Sequence, residues 1–138
     1  MIVDSSALIA MLTNEEDGDA LSRVLDRPGM VRMSAASYLE TSIVIDAHRD
    51  AALSARLDET ILDSEIVVEP VTLEQARIAR EAYRNYGKGS GHPAKLNFGD
   101  CFSYALAREK REPILYKGDD FGHTDLRAAV NVANPTEL

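Results

Sequence analysis

The stretch Met1-Ile2-Val3-Asp4-Ser5-Ser6-Ala7-Leu8 opens the chain and decides its fold. A short apolar run ends at Asp4, Ser5 and Ser6, and after this polar turn apolar residues recur at helical spacing as far as Leu12. The pattern predicts a buried strand, a polar turn and a helix. Asp4 stands out, because a carboxylate beside a buried strand is costly unless it is paired or coordinated.

The rest of the chain repeats this alternation of short strands and helices. Because the strands are short and helices link them, we expect an α/β three-layer fold, with a parallel sheet of about five strands covered by helices on both faces. Ser34 and Ser37 are alternative caps of the helix at 34–48, and Asn97 is a cap for the helix that begins at Phe98. We expect one domain over residues 1–138. Helices are predicted near residues 7–12, 19–26, 34–48, 51–64, 72–86 and 98–111, and strands near 1–3, 30–33, 66–68, 114–116 and 130–133.

Composition excludes several classes of protein. With 138 residues, 45% of them apolar, the chain is long and apolar enough to bury a core, which excludes a disordered protein. The net charge of −8 repels nucleic acid on average, so a polyanionic substrate needs a local basic patch or a bound metal ion. The single Cys101 excludes an internal disulfide and favours the cytoplasm, and no signal peptide or membrane-spanning run is visible.

Acidic residues stand where the predicted strands end or the next helices begin. Asp4 follows the first strand, Asp119 and Asp120 follow the strand at 114–116, and Glu40 and Asp100 lie in early helical turns. In an open parallel sheet, ligands bind at the carboxyl ends of the strands, so we expect these side chains to converge. Converging carboxylates repel one another unless a divalent cation is bound, and an oxygen-only ligand set favours Mg²⁺ or Mn²⁺ over Zn²⁺. Each residue alone is also explained as a helix cap or turn.

Four sequence blocks contain these acidic residues. In chain order they are Met-Ile-Val-Asp-Ser-Ser-Ala-Leu, Ser-Tyr-Leu-Glu ending at Glu40, Asn-Phe-Gly-Asp-Cys-Phe-Ser-Tyr-Ala-Leu-Ala around Asp100, and Tyr-Lys-Gly-Asp-Asp-Phe-Gly-His-Thr-Asp from Tyr116. Together they resemble the PIN-domain ribonucleases, and more narrowly the VapC toxins of bacterial VapBC toxin–antitoxin modules. The resemblance spans residues 1 to about 130. It implies a five-stranded parallel sheet, divalent-metal cleavage of RNA, a homodimer and inhibition by a VapB-type antitoxin.

The resemblance also implies roles for individual residues. Asp4, Glu40 and Asp100 match three acidic positions of the family, whereas the fourth position falls on Gly118 and leaves Asp119 or Asp120 as candidates, of which we favour Asp119. Three of the four residues predicted to be catalytic, Asp4, Asp100 and Asp119, are also the predicted metal ligands. Ser6 matches a small hydroxyl residue that orients Asp4 or a metal-bound water. Thr124 and Asp125 match a pair that we expect to cap a loop. The predicted catalytic residues are Asp4, Glu40, Asp100 and Asp119.

Basic and aromatic residues form a second signal. Arg77, Arg80 and Arg84 lie on one side of a predicted helix, which is either an RNA contact or an ordinary solvated face. The nearby tyrosines are candidates for base stacking, although core packing explains tyrosines at this spacing better. We expect both histidines near the site to be surface residues and Cys101 to be a small core residue. The tyrosines are Tyr83, Tyr86 and Tyr104, and the histidines are His92 and His123.

Two other classes of protein remain as alternatives. The first is an inactive PIN scaffold that only binds a partner, but the three unambiguous acidic positions are all filled. The second is a phosphorylation-regulated receiver-like domain, which needs an aspartate after a middle strand, whereas the strand at 66–68 ends in Glu69 and Pro70. A serine nucleophile at Ser5 or Ser6 is a poor hypothesis, since no histidine is near in sequence and no G-x-S-x-G motif is present.

Overall fold

The computed structural model describes residues 1–130, in which short strands alternate with helices. A turn of 3₁₀-helix, Phe121–His123, follows the last strand. The helices are α1 Ser5–Leu12, α2 Gly18–Leu25, α3 Ala35–Asp46, α4 Ala51–Asp63, α5 Leu73–Tyr86 and α6 Phe98–Lys110, and the strands are β1 Ile2–Val3, β2 Arg32–Ser34, β3 Val67–Glu69 and β4 Ile114–Leu115.

All strands of the sheet run parallel, in the order β3-β2-β1-β4. In β1, Ile2 pairs with Ile114 and Val3 with Leu115, so the first strand of the chain is a central one. The α/β prediction is confirmed, but the sheet has four strands where about five were expected. At the β4 edge, Ala128 makes a single bridge to Ile114, and most of the predicted strand at 130–133 lies outside the described residues.

The two residues of β1 point to opposite faces of the sheet and so join both halves of the core. Val3 packs in one cluster with Leu8 of α1, and Ile2 packs in another with Leu106 of α6. Both strand residues have no exposed surface. Full burial of such side chains stabilises a fold by roughly 1.5–3 kcal/mol each, which explains why the opening apolar run fixes the layered architecture.

Helix caps place the acidic side chains at the carboxyl edge of the sheet. Asp4 caps α1 by accepting a hydrogen bond from the amide of Ser6, and Ser34 ends β2 and caps α3. Of the two caps considered for α3, Ser34 is therefore correct, and Ser37 lies buried inside the helix. Asn97 and Asp100 form a reciprocal capping box at the start of α6, as Asn97 was predicted to do.

Across residues 1–130, the helices are too short or too polar to cross a lipid bilayer.

Candidate active site

Asp4 is buried at the carboxyl end of β1, with 2% of its surface exposed. Its Oδ2 accepts a hydrogen bond from the Ser6 amide at 3.0 Å, and its Oδ1 accepts one from the Ser103 hydroxyl at 2.5 Å. The Asp4 amide donates to the carbonyl of Leu115 at 2.9 Å, which ties the residue to β4. Both carboxylate oxygens are thus held in a fixed orientation, and the buried charge is hydrogen-bonded.

Asp100 lies in the first turn of α6, at the third helical position. Its Oδ2 accepts from the Asn97 amide at 3.0 Å, while its own amide donates to Asn97 Oδ1 at 2.9 Å. Burial, together with the smaller effects of the charges of Asp4, Asp120 and Glu40, raises the pKa of Asp100 to about 6. The Asn97 hydrogen bond acts in the opposite direction and lowers it. The charges of three acidic side chains from separate elements thus act on Asp100.

Glu40 projects from the second turn of α3 towards α6. Its Oε1 accepts a hydrogen bond from the hydroxyl of the buried Ser5. Gly99 lies directly against its carboxylate, so that a Cβ at this position would overlap Glu40 Oε2. A side chain at the position next to Asp100 would therefore require the Glu40 carboxylate to move.

The two aspartates after β4 lie in different electrostatic surroundings. The charge of Asp120 acts on Asp100, whereas the charge of Asp119 acts on the phenol of Tyr116 and raises its pKa, after the larger effect of burial. Both aspartates are exposed. Asp120 is therefore the aspartate whose charge raises the pKa of Asp100. The sequence analysis favoured Asp119 at the fourth acidic position.

Comparisons with known proteins identify the family of this chain. A PIN-domain family profile matches residues 1–126. Over 131 residues, the chain is 57% identical to ribonuclease VapC28 of Mycobacterium tuberculosis, an alignment that covers 95% of this chain and 98% of the relative. The chain belongs to the PIN-domain family, among its VapC ribonucleases. The family resemblance inferred from the sequence is thereby confirmed.

Two further VapC proteins resemble the chain, one in sequence and one in fold. Ribonuclease VapC42 of M. tuberculosis is 46% identical over 129 residues, with 94% of this chain and 98% of the relative covered. The crystal structure of M. tuberculosis VapC20, described as a toxin that cleaves the sarcin-ricin loop, matches at a TM-score of 0.73 and 20% identity, over 91% of this chain and 95% of that one. At that identity, the VapC20 likeness concerns the PIN fold alone.

The donor set of this PIN domain fits a hard divalent cation. The groups around Asp100 are carboxylates, which offer the oxygen ligands that Mg²⁺ and Mn²⁺ prefer. Within residues 1–130, no three acidic, histidine or cysteine side chains lie close enough to enclose an ion by themselves. Mg²⁺ does not need such a cage, because it keeps several waters and is bound through one or two carboxylates together with substrate phosphate.

Other residues of the VapC blocks have structural roles. The Ser6 hydroxyl accepts from the amide of Lys117 at 3.0 Å, so Ser6 orients Asp4 through its amide and joins α1 to the loop after β4. The Thr124 hydroxyl donates to the carbonyl of Phe121 and accepts from the amide of Leu126, which is the loop cap that was expected. Asp125 accepts from Tyr104 at 2.7 Å and from Arg108 at 2.8 Å.

The aromatic and histidine candidates mostly belong to the scaffold. Tyr104 is buried and its hydroxyl is engaged, whereas Tyr83 is 46% exposed. His92 packs edge-on against Tyr86 at a centroid distance of 4.8 Å, and its Nδ1 accepts from the Ala94 amide, so it stabilises a turn. His123 is exposed, and Cys101 is buried as expected, with burial raising its thiol pKa to about 11.

The predicted arginine stripe on α5 is solvent-exposed along its length. Arg77 has a distant ion pair with Glu74, at 3.9 Å. Arg80 also borders an apolar groove of about 420 Å³ between α5 and α6, which Tyr83 and Phe98 line.

Sequence reasoning missed the hydroxyl groups that hold the acidic side chains. Ser103 holds Asp4, Ser37 lies 3.0 Å from Ser103, and Ser5 holds Glu40. A signal existed in the spacing, because Ser103 follows Asp100 by three residues and Ser37 precedes Glu40 by three, which puts each pair on one helix face.

Proposed function

We propose that this chain is a metal-dependent endoribonuclease that hydrolyses RNA phosphodiesters. In this proposal it is the toxin of a type II toxin–antitoxin module in the cytoplasm, and the whole chain forms one PIN domain. The observation that supports it most is the raised pKa of Asp100, about 6, caused by burial and by Asp4, Asp120 and Glu40. A site that collects negative charge is suited to bind a cation and then a polyanion. The VapC relatives add the ribonuclease activity.

Asp4 and Asp100 are the residues that would hold Mg²⁺ or Mn²⁺, and Asp120 is the favoured third candidate in place of Asp119. When bound, such a cation supplies a nucleophilic water at neutral pH and neutralises charge that develops on the phosphate and the leaving oxygen. Asp4 has two oxygens that are each engaged once, by Ser6 and by Ser103. A carboxylate oxygen has about two acceptor positions, so each retains one for a ligand.

The protein's own groups orient the attacking water. Glu40 is fixed by Ser5 and by its contact with Gly99, which leaves its Oε2 at the α6 side of the site. There it accepts a hydrogen bond from the water and takes its proton as the water oxygen bonds to phosphorus. The 3′-oxygen then leaves and takes up a proton, which yields a 5′-phosphate and a 3′-hydroxyl.

This product chemistry separates the proposal from cleavage by the RNA 2′-hydroxyl, which yields a cyclic phosphate. That reaction uses a base and an acid placed around the ribose, most often histidines. In the described part of the chain, His92 is engaged in a turn and His123 lies exposed on the short 3₁₀-helix. The acidic site thus favours attack by water.

Cleavage of RNA by the purified chain tests the proposal. Wild-type protein should cut a mixed single-stranded RNA with Mg²⁺ or Mn²⁺, and every new end should accept a ligase that requires a 5′-phosphate. Asp100→Asn, which keeps the capping geometry, should lose at least about 100-fold in rate. Undiminished cleavage in excess chelator would contradict the proposed metal dependence. A wild-type chain that cuts nothing while it binds its partner would favour the inactive-scaffold alternative.

The receiver-like alternative is not supported by the topology. β3 lies at the edge of the sheet, and it ends at Glu69, which pairs with Arg32 at 3.2 Å. The strand at 66–68, after which such a domain would need its phosphate-accepting aspartate, therefore offers none. The acidic site instead surrounds the ends of β1 and β4, as a nuclease site at the carboxyl edge requires.

A VapB-type antitoxin and a second copy of the chain are the proposed protein partners. The VapC naming of the relatives supports the antitoxin, and exposed apolar side chains on α3 and α6, Leu39, Ile43 and Phe98, support a homodimer. Coexpression with the adjacent small open reading frame should relieve growth arrest and yield a complex. The monomer has a mass of 15.1 kDa, and light scattering of the purified chain should give twice that value.

A further inference from the structure

Behind Asp4 lies a chain of two buried hydroxyl groups. Ser103 on α6 has no exposed surface, and its hydroxyl donates to Asp4 Oδ1 at 2.5 Å. Ser37 on α3 is 1% exposed, and its hydroxyl lies 3.0 Å from that of Ser103. The chain therefore connects the end of β1 to two helices that come from distant parts of the sequence.

The direction of these hydrogen bonds follows from the chemistry of the groups. A hydroxyl has one proton to donate, and an ionised carboxylate has none. Because Ser103 donates its proton to Asp4, Ser37 must donate to Ser103. Both dipoles then point their positive ends towards Asp4, and successive hydrogen bonds in a buried chain strengthen one another.

This arrangement limits the rotation of the Asp4 carboxylate. The Ser6 amide holds Oδ2 and Ser103 holds Oδ1, so the plane of the group is fixed by contacts on both oxygens. Without Ser103, Asp4 keeps its helix-capping bond but is free to turn about its last side-chain torsion, which has a broad energy profile. The free acceptor positions would then no longer face the site in one direction.

We propose that Ser103, supported by Ser37, is a positioning residue that aims Asp4 at the bound cation. The proposal rests on the proposed function, in which Asp4 is a ligand of Mg²⁺ or Mn²⁺. Groups that orient metal ligands typically change metal affinity or activity by 10- to 100-fold when they are removed. Ser103 does not touch the substrate, so its effect is exerted through Asp4.

The test uses the whole chain and measures Mn²⁺ binding by calorimetry without RNA, together with kcat and KM for RNA cleavage. Ser103→Ala should weaken Mn²⁺ binding about tenfold and lower kcat by about 10- to 100-fold, with KM for RNA unchanged. Ser103→Thr, which keeps the hydroxyl, should restore Mn²⁺ affinity to within about threefold of wild type. Ser37→Ala should have a smaller effect in wild type and no further effect in Ser103→Ala, because Ser37 reaches Asp4 through Ser103.

Thr41→Val is the matched control. Thr41 is fully buried on α3, and its hydroxyl donates to the Ser37 carbonyl at 2.8 Å instead of to a carboxylate. Its loss should lower stability and leave Mn²⁺ affinity and kcat at wild-type values. Ser103→Ala with wild-type Mn²⁺ affinity would overturn the proposal.

The remaining outcomes also decide the matter. If Ser103→Ala does not fold, a Ser37→Ala protein that binds Mn²⁺ as well as Thr41→Val does would overturn the proposal, and weaker binding would support it. If the wild-type chain binds Mn²⁺ but cuts no RNA, the nuclease proposal fails while the effect of Ser103 on Mn²⁺ binding still tests the positioning role. A wild-type chain that binds no Mn²⁺, either alone or together with a non-cleavable RNA analogue, overturns both.

Discussion

Gly99 on α6 lies directly against the carboxylate of Glu40 on α3, in the space that a side chain at position 99 would need. The two residues are 59 positions apart, and the contact brings Glu40 beside Asp100. The hydroxyl of Ser5 fixes the opposite side of the same carboxylate. A glycine inside the first helical turn is therefore part of the candidate active site.

Gly99→Ala should displace Glu40 and lower the cleavage rate by at least about tenfold, because a misplaced group at a reacting centre is costly. The melting temperature should also fall, because the displaced carboxylate leaves the hydroxyl of the buried Ser5 unpaired, which costs about 1–3 kcal/mol. Without the contact, alanine would stabilise the helix relative to glycine. Thermal melts and cleavage assays on the same samples check both effects.

The control for this prediction is a double-mutant cycle with Glu40→Ala. In that background the overlapping oxygens are gone, so Gly99→Ala should be neutral or stabilising. Equal destabilisation in both backgrounds would show that the Glu40 contact is not the cause.

Stability in chelator should depend on the charge of Asp100. Its pKa is raised from 3.8 to about 6 in the folded protein, so the protonated form is favoured by folding. The stabilising contribution is fully present below about pH 4 and is lost as the pH rises through 6. Asp100→Asn should thus be more stable than wild type at pH 7.5, by about 1 kcal/mol after solvent screening, and equally stable at pH 4.

Thermal melts from pH 4 to 8 without metal measure this difference. The amide oxygen that Asp100→Asn introduces can still accept from the Asn97 amide, so the capping bond is kept in the variant. Asp119→Asn is the matched control, and it should lack the pH-dependent gain. A variant that is less stable than wild type at pH 7.5 would mean that Asp100 serves mainly as a helix cap.

The two aspartates after β4 should differ in their effect on catalysis. The charge of Asp120 acts on Asp100, whereas that of Asp119 acts on Tyr116. We expect Asp120→Asn to lower kcat about tenfold or more and to weaken Mn²⁺ binding, and Asp119→Asn to change either by less than about threefold. The reverse order would restore Asp119 to the fourth acidic position.

RNA binding should depend on the arginine stripe of α5. Replacement of Arg77, Arg80 and Arg84 by Gln should weaken binding and reduce the salt slope by about 2, at about 0.7 per phosphate contact on single strands. Binding titrations at several salt concentrations measure the slope. The arginine substitutions are made in the Asp100→Asn variant, so that the RNA is not cleaved during the titration.

A second triple variant at Arg23, Arg49 and Arg56, which are exposed on or beside α2 and α4, removes the same charge and should leave the slope nearly unchanged. Equal slopes for the two variants would make the α5 stripe an ordinary solvated face.

The sequence alone determined the α/β fold, and it singled out Asp4, Glu40 and Asp100 as candidate site residues. Apolar runs such as Met1 to Val3 can only be buried strands, and Asp4 beside such a run is too costly to be incidental. These inferences succeed because hydrophobic period and burial act locally along the chain. The cap at Asn97 was predictable for the same reason, since its partner Asp100 is three residues away.

Only the tertiary structure decided which residues distant in sequence are in contact. Ser103 reaches Asp4 across 99 positions, and Gly99 makes room for Glu40 because α6 packs against α3. The surroundings of Asp119 and Asp120 also differ through the path of one loop, although the two residues are identical and adjacent. Local patterns do not encode these relationships, because each depends on how whole elements pack around the sheet.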